Sequence, residues 1–127
     1  MLSENDVARI ALRIKERDRT LAIGIFGSYA VGSAGVGSDL DLFVIKDSAQ
    51  RPGERRLAMR RLLFGVLHPL DIHVFTPDEF ESTAYESLSF AWVIARQARL
   101  YHWTEEARRR VPSLFVQAVF ASVSDRW

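Results

Sequence analysis

The run Asp39-Leu40-Asp41-Leu42-Phe43-Val44 most constrains what this chain can fold into, because it sets two acids at the head of an apolar strand. Side chains alternate across a strand, so Asp39 and Asp41 point to one face while Leu40, Leu42 and Val44 point to the other. Two like charges so close repel, and burial pushes a proton onto one of them unless a cation sits between. A divalent metal is the simplest counterion. Just upstream, the apolar run Leu21 to Phe26 reads as a buried strand ending at Gly27, so the unit is strand, glycine turn, loop, strand. Glycine lets the backbone approach a ligand closely, and Ser28 is expected to cap a short helical turn beginning at Tyr29. Free amides at such an end bind phosphate. Magnesium keeps several waters and commonly uses one or two carboxylates plus substrate phosphates, so it would bridge that phosphate to Asp39 and Asp41. The implied chemistry is phosphoryl or nucleotidyl transfer.

Gly27-Ser28, the ten residues Tyr29 to Ser38, and Asp39-Leu40-Asp41 resemble the signature of the minimal nucleotidyltransferases of the DNA polymerase beta superfamily. The resemblance spans about residues 21–103. It implies an α/β (α+β) fold of the polymerase-beta nucleotidyltransferase type, a small mixed sheet flanked by helices. It also implies a third carboxylate on the strand beside Asp-x-Asp. In Leu70 to Phe75, Asp71 is the acid in a matching setting, facing the same way as His73 and Phe75. By resemblance, Asp39 and Asp41 would hold two Mg2+ ions, and Asp71 would serve the catalytic ion and take the proton of the attacking hydroxyl. Gly27 and Ser28 would bind the terminal phosphates of the donor, ATP. In one departure, Ala30-Val31-Gly32 stands where many members carry Ala-Arg-Gly, so a guanidinium for phosphate is missing.

Many minimal members are antitoxins that pair with a helical HEPN-domain ribonuclease toxin, and some transfer AMP from ATP to a toxin tyrosine. The resemblance therefore implies AMP transfer to a hydroxyl on a HEPN-type partner protein. Two alternatives stand beside it. One is a non-catalytic antitoxin that binds by occlusion. The other is an aminoglycoside-type nucleotidyltransferase, for which Glu79 and Glu81 would have to furnish an acidic acceptor pocket. A homo-oligomer is compatible with each.

Composition narrows the classes. The 127 residues suit one domain, 1–127, read as a core of about 21–103 and a C-terminal helical segment 104–127. A net charge of +1, and arginines without interleaved aromatics, argue against nucleic acid as a direct ligand. The absence of cysteine excludes disulfides and thiolate metal sites and agrees with a cytoplasmic protein. No apolar run approaches the roughly 18 residues of a membrane span, and Glu4, Asp6 and Arg9 interrupt any signal-peptide pattern.

Around this centre, Ser3 and Asp6 read as a capping box, with Val7, Ile10, Ala11 and Ile14 forming the stripe of a first helix to about Asp18. From Glu54 to about Val66, Met59, Leu62, Leu63, Val66 and Leu67 follow the helical template. Arg51, Arg55, Arg56, Arg60 and Arg61 fall mostly on the opposite, solvated face. Thr76 caps a short helix at Pro77. Leu88, Ala91, Trp92 and Ala95 give a further helical stripe, and Leu100 to Trp103 reads as a short edge strand. Thr104 caps a helix, and Pro112-Ser113 starts another in which Phe115, Val116, Val119, Phe120 and Val123 form a stripe. His68, His73 and His102 read as ordinary half-buried histidines, none paired at metal-ligand spacing.

Overall fold

The computed structural model describes residues 1–121. Helix α1 (Glu4–Arg17) starts at the expected capping box, Ser3 accepting from the Asp6 amide while Asp6 accepts from the Ser3 amide. Strand β1 (Ala22–Phe26) is buried along its whole length. It is followed by the single turn α2 (Ser28–Val31) and by β2 (Leu40–Ile45). Helix α3 (Pro52–Leu62) leads to β3 (Leu70–Phe75). Helices α4 (Pro77–Thr83) and α5 (Phe90–Gln97), strand β4 (Arg99–Trp103), helices α6 (Glu105–Arg110) and α7 (Pro112–Phe115) and strand β5 (Val119–Phe120) complete the described chain.

The five strands form one mixed sheet in the order β3-β2-β1-β4-β5. β1 is antiparallel to both neighbours, whereas β2·β3 and β4·β5 are parallel. Both faces are covered, so the central strands carry apolar residues at nearly every position, as a doubly covered sheet requires. Leu40, Leu42 and Val44 of β2 join Ile23, Ile25, Ile72 and the α1 and α3 residues Val7, Ile10, Ile14 and Met59 in one layer. Phe43 and Ile45 point the other way, into Phe26, Phe80, Ile94, Leu100 and Leu114. Phe43 is wholly enclosed, so its truncation to alanine would cost about 3–5 kcal/mol. In this second layer the alternation of β2 brings Asp41 to the rim at the strand's open end.

Four expectations need correction. The helix read to Val66 ends at Leu62, since the chain turns at Gly65 with φ +96° and leaves Leu67 99% exposed rather than in the core. Arg55 is not on the solvated face: it is 2% exposed, and its guanidinium grips both oxygens of Glu79 at 2.7 Å. Leu88 stands in solvent with φ +71°, and α5 buries Ala91 and Ile94 in its place. Last, the C-terminal stripe is not one helix. α7 stops at Phe115 and Val119–Phe120 forms a strand, the Val119 and Ala121 amides donating to the Ala98 and Leu100 carbonyls. That pairing covers β4, so β4 is interior to the sheet. Val123 lies outside the described residues.

Candidate active site

β1 ends where β2 and β3 begin, so the strand ends gather the predicted residues at one rim of the sheet. Phe26 pairs with Asp41, and Asp41 pairs with Asp71 across the parallel β2·β3 ladder. Neighbouring strands lie about 4.8 Å apart, so two carboxylates at one register level on one face are direct neighbours. Asp39 stands just before β2 and is exposed. The loop bringing it there is tied down by His68, whose Nε2 donates to the Ser38 carbonyl at 2.9 Å, and by the Leu40 amide donating to the Pro69 carbonyl at 3.0 Å.

The turn after β1 differs in detail from the expectation. Gly27, not Ser28, occupies the cap position of α2, with φ +72° and ψ −154° and no side-chain capping bond. Ser28 is the first helical residue, and its own and Tyr29's amides sit in the first turn, where no acceptor exists within the helix. Glycine at position 27 is doubly required. Its φ lies in the left-handed region, and a Cβ there would overlap Asp41 Oδ2. The Asp41 carboxylate is thus packed directly against the glycine turn. The Gly27 amide donates to Gln97 Oε1 at 2.9 Å, which anchors the turn to the end of α5.

The electrostatics follow from this packing. Burial pushes the Asp41 carboxyl above the usual carboxylate range. The charge of Asp71, the charge of Asp39 and a hydrogen bond with Asp71 push the same way, while His73 opposes them. Asp71 is more open to solvent, and its Oδ2 accepts from His73 Nε2 at 3.2 Å. His73 in turn is wedged among the rings of Phe26, Phe75 and Phe90 at centroid distances of 5.4, 6.5 and 4.5 Å. Among the described residues no three His, Cys, Asp or Glu side chains are gathered into a cage for a metal. The donors present at the rim are carboxylate oxygens carrying excess negative charge, and they fit a hard cation that takes one or two carboxylates and keeps its own waters.

Three contributors escaped the sequence reading. Gln97 holds the turn, His73 orients Asp71, and His68 fixes the loop before Asp39. For His73 the available signal was its place two residues after Asp71 on one face. Gln97, 70 residues from Gly27, gave none. The acids proposed for an aminoglycoside pocket are committed elsewhere. Glu79 is bound by Arg55, which together with the Thr76 amide holds its carboxyl down to about 2, and Glu81 accepts from Ser113 Oγ at 2.6 Å.

The sequence pattern of the nucleotidyltransferase domain family matches residues 7–99, a stretch that contains the glycine turn and all three acids. The chain belongs to this family. No curated protein matches it. Among solved structures, this nucleotidyltransferase domain is similar to a chain in the crystal structure of a toxin–antitoxin with AMP-PNP, at 18% identity and TM-score 0.57, covering 89% of this chain and 84% of that one. It is likewise similar to a chain of a mutant MntA–HpeT toxin–antitoxin, at 17% identity and TM-score 0.56, covering 90% and 84%. These likenesses are of fold. No helix among the described residues of the domain is long and apolar enough to cross a membrane.

Proposed function

We propose that this nucleotidyltransferase domain transfers AMP from ATP to a hydroxyl on a partner protein with magnesium, acting as the antitoxin of a HEPN-type toxin pair. One observation carries the catalytic reading: Asp41 and Asp71 are register partners across β2·β3, with Asp41 packed directly against the Gly27 turn. In this reading the Ser28 and Tyr29 amides at the first turn of α2 bind the terminal phosphates, while Gly27, whose own amide is held by Gln97, lets the backbone come close. Asp39 and Asp41 hold the metal ions, and Asp71, steadied by His73, receives the acceptor's proton. Bound there, magnesium would neutralise charge on the phosphates and make the acceptor hydroxyl easier to deprotonate. The partner class is supported by fold likeness to chains of toxin–antitoxin complexes, one of them described with AMP-PNP.

The test is to incubate the protein with labelled ATP, magnesium and a candidate HEPN partner. The partner becomes labelled, and Asp39→Asn reduces the label. No transfer from any triphosphate, with Asp39→Asn indistinguishable from the native chain, would remove the catalytic reading. A second reading, binding by occlusion, is favoured by one feature. Val31, at the end of α2, is 57% exposed and offers no charge to a phosphate. Under it, partner affinity is insensitive to Asp41→Asn and calorimetry shows no magnesium-dependent nucleotide binding.

A further inference from the structure

Leu57, Arg60, Arg61 and Phe64 recur at i, i+3, i+4 and i+7, so α3 and the turn after it carry a second stripe, opposite the buried Arg55 and Met59. All four are exposed, Phe64 at 83%. Past the helix end the chain turns at Gly65, and Arg60, Phe64, Leu67, Pro69 and Leu70 line an open groove of about 600 Å³. The turn is well fastened. Arg13 Nη2 donates to the Phe64 carbonyl at 2.8 Å, and the Phe64 and Val66 amides donate to the Arg61 and Leu63 carbonyls at 3.1 Å. Apolar side chains held in solvent on a fixed backbone lose little freedom on meeting a partner, which is what an interface anchor needs.

Charge decides what this groove fits. Among the described residues Arg60 and Arg61 make no ion pair. Covering them without carboxylates would strand two charges. A second copy of this chain is a poor occupant, because a two-fold contact across the stripe sets the same arginines against one another. An added strand is disfavoured too, since the Phe64 and Val66 amides and the Pro69 carbonyl are already bonded within the chain, which leaves recognition to side chains. An apolar groove beside free arginines suits an amphipathic helix with carboxylates along the border of its apolar face. The place matters as well. The groove runs into β3, where Asp71 follows Leu70, and His68 ties the same segment to the Ser38 carbonyl beside Asp39. Four residues span at most about 14 Å, so Leu67 is that close to Asp71.

We propose that the groove at the end of α3 is the docking surface for the partner protein, and that the partner fills it with an acidic amphipathic helix. The inference rests on the proposed function for the partner's existence and adds where, and by what chemistry, the partner is held. A helix seated there brings the rest of the partner to the open end of the sheet, beside Asp39 and Asp71. Docking and transfer then use adjoining surfaces.

The experiment follows the amide spectrum of the 15N-labelled protein during titration with a peptide of about 20 residues, long enough to be helical, with leucine and alanine on one face and glutamate along its borders. The control has lysine at every glutamate. The glutamate peptide should shift the Gly65, Val66 and Leu67 amides saturably, with a midpoint of about 0.1–1 mM, and the lysine peptide should leave them unmoved. Phe64→Ala should weaken the response about tenfold. Arg60→Glu together with Arg61→Glu should move the response from the glutamate peptide to the lysine peptide, and each of these side chains is exposed enough to change without unfolding. No saturable shift, an equal response of the native chain to the lysine peptide, or the same amides moved instead by phosphatidylserine vesicles or a single-stranded RNA would each overturn the assignment. So would dimerisation of the native chain that Phe64→Ala abolishes, since the groove would then belong to a second copy. Failure of the transferase reading is read separately, as groove shifts with the glutamate peptide but no candidate HEPN protein labelled from ATP. Where labelling occurs, Phe64→Ala should raise the KM for that protein about tenfold, and an unchanged KM would overturn the docking surface.

Discussion

Two pairs of charged side chains flank β3, and they are built on opposite principles. Arg55 and Glu79 join α3 to α4 around the sheet's end, with two 2.7 Å hydrogen bonds and the Glu79 carboxyl held down to about 2. Asp41 and Asp71 join β2 to β3 with the same sign of charge, and burial together with Asp71 drives the Asp41 carboxyl upward. The first pair is complete within the chain. The second is left with excess charge that a folded protein would ordinarily avoid. The difference separates two uses of charge: a closed pair fixes the frame, and an unbalanced pair packed against the Gly27 turn is where the proposed function puts its metal and phosphates.

The comparison breaks most visibly at the unbalanced pair. Under the proposed transferase reading, Asp41→Asn lowers AMP transfer about 10³-fold, since that reading rests several kcal/mol of charge stabilisation on acids that would hold the metal; labelled transfer to partner measures it. A variant with activity within twofold of native would remove Asp41 from the site.

At the closed pair the effect is on stability. Glu79→Ala strands a buried guanidinium, a loss of about 2–3 kcal/mol in urea unfolding, less than for a fully buried pair because Glu79 itself reaches water. The depressed Glu79 carboxyl gives stability that is present above its ordinary value near 4.5 and lost as pH falls through about 2. The variant should lack that acid-dependent component.

The two pairs should also respond to pH with opposite sign. Because the folded-state value of Asp41 is raised, its contribution to stability is fully present below the unfolded value and is lost as pH rises through the folded one. Metal-free Asp41→Asn should therefore melt above the native chain at pH 7, with the gap closing in acid. Thermal melts at both pH values check it. Smallest of all, Val31→Arg adds a positive charge from an exposed position beside the turn that the proposed function assigns to the phosphates. It should tighten ATP binding by up to about fivefold, the reach of an exposed charge contact, and calorimetry with AMP-PNP would read it.

Much of this architecture was legible because its signals are local. The Ser3 and Thr76 caps and the alternation in β2 and β3 follow from short-range patterns, whereas the placing of Asp71 beside Asp41 came from the resemblance to the family signature. What was missed depends on partners distant in sequence. Arg55 looks solvated until Glu79, 24 residues on, is folded against it. Phe115 to Phe120 fits a helical stripe, yet hydrogen bonds to the Ala98 and Leu100 carbonyls are available only once β4 is placed, and they make a strand there. At the glycine turn, Ser28 has the chemistry of a cap, but the Asp41 carboxylate packs against position 27 and demands the residue with no side chain.

The most direct test of the central claim is the titration of the Asp41 side-chain carboxyl by 13C NMR, in the free protein and with magnesium and AMP-PNP. The account predicts a midpoint above the ordinary aspartate range in the free protein, falling well below it once cation and nucleotide bind. A midpoint that starts ordinary, or one that stays raised with both ligands at saturation, would contradict it.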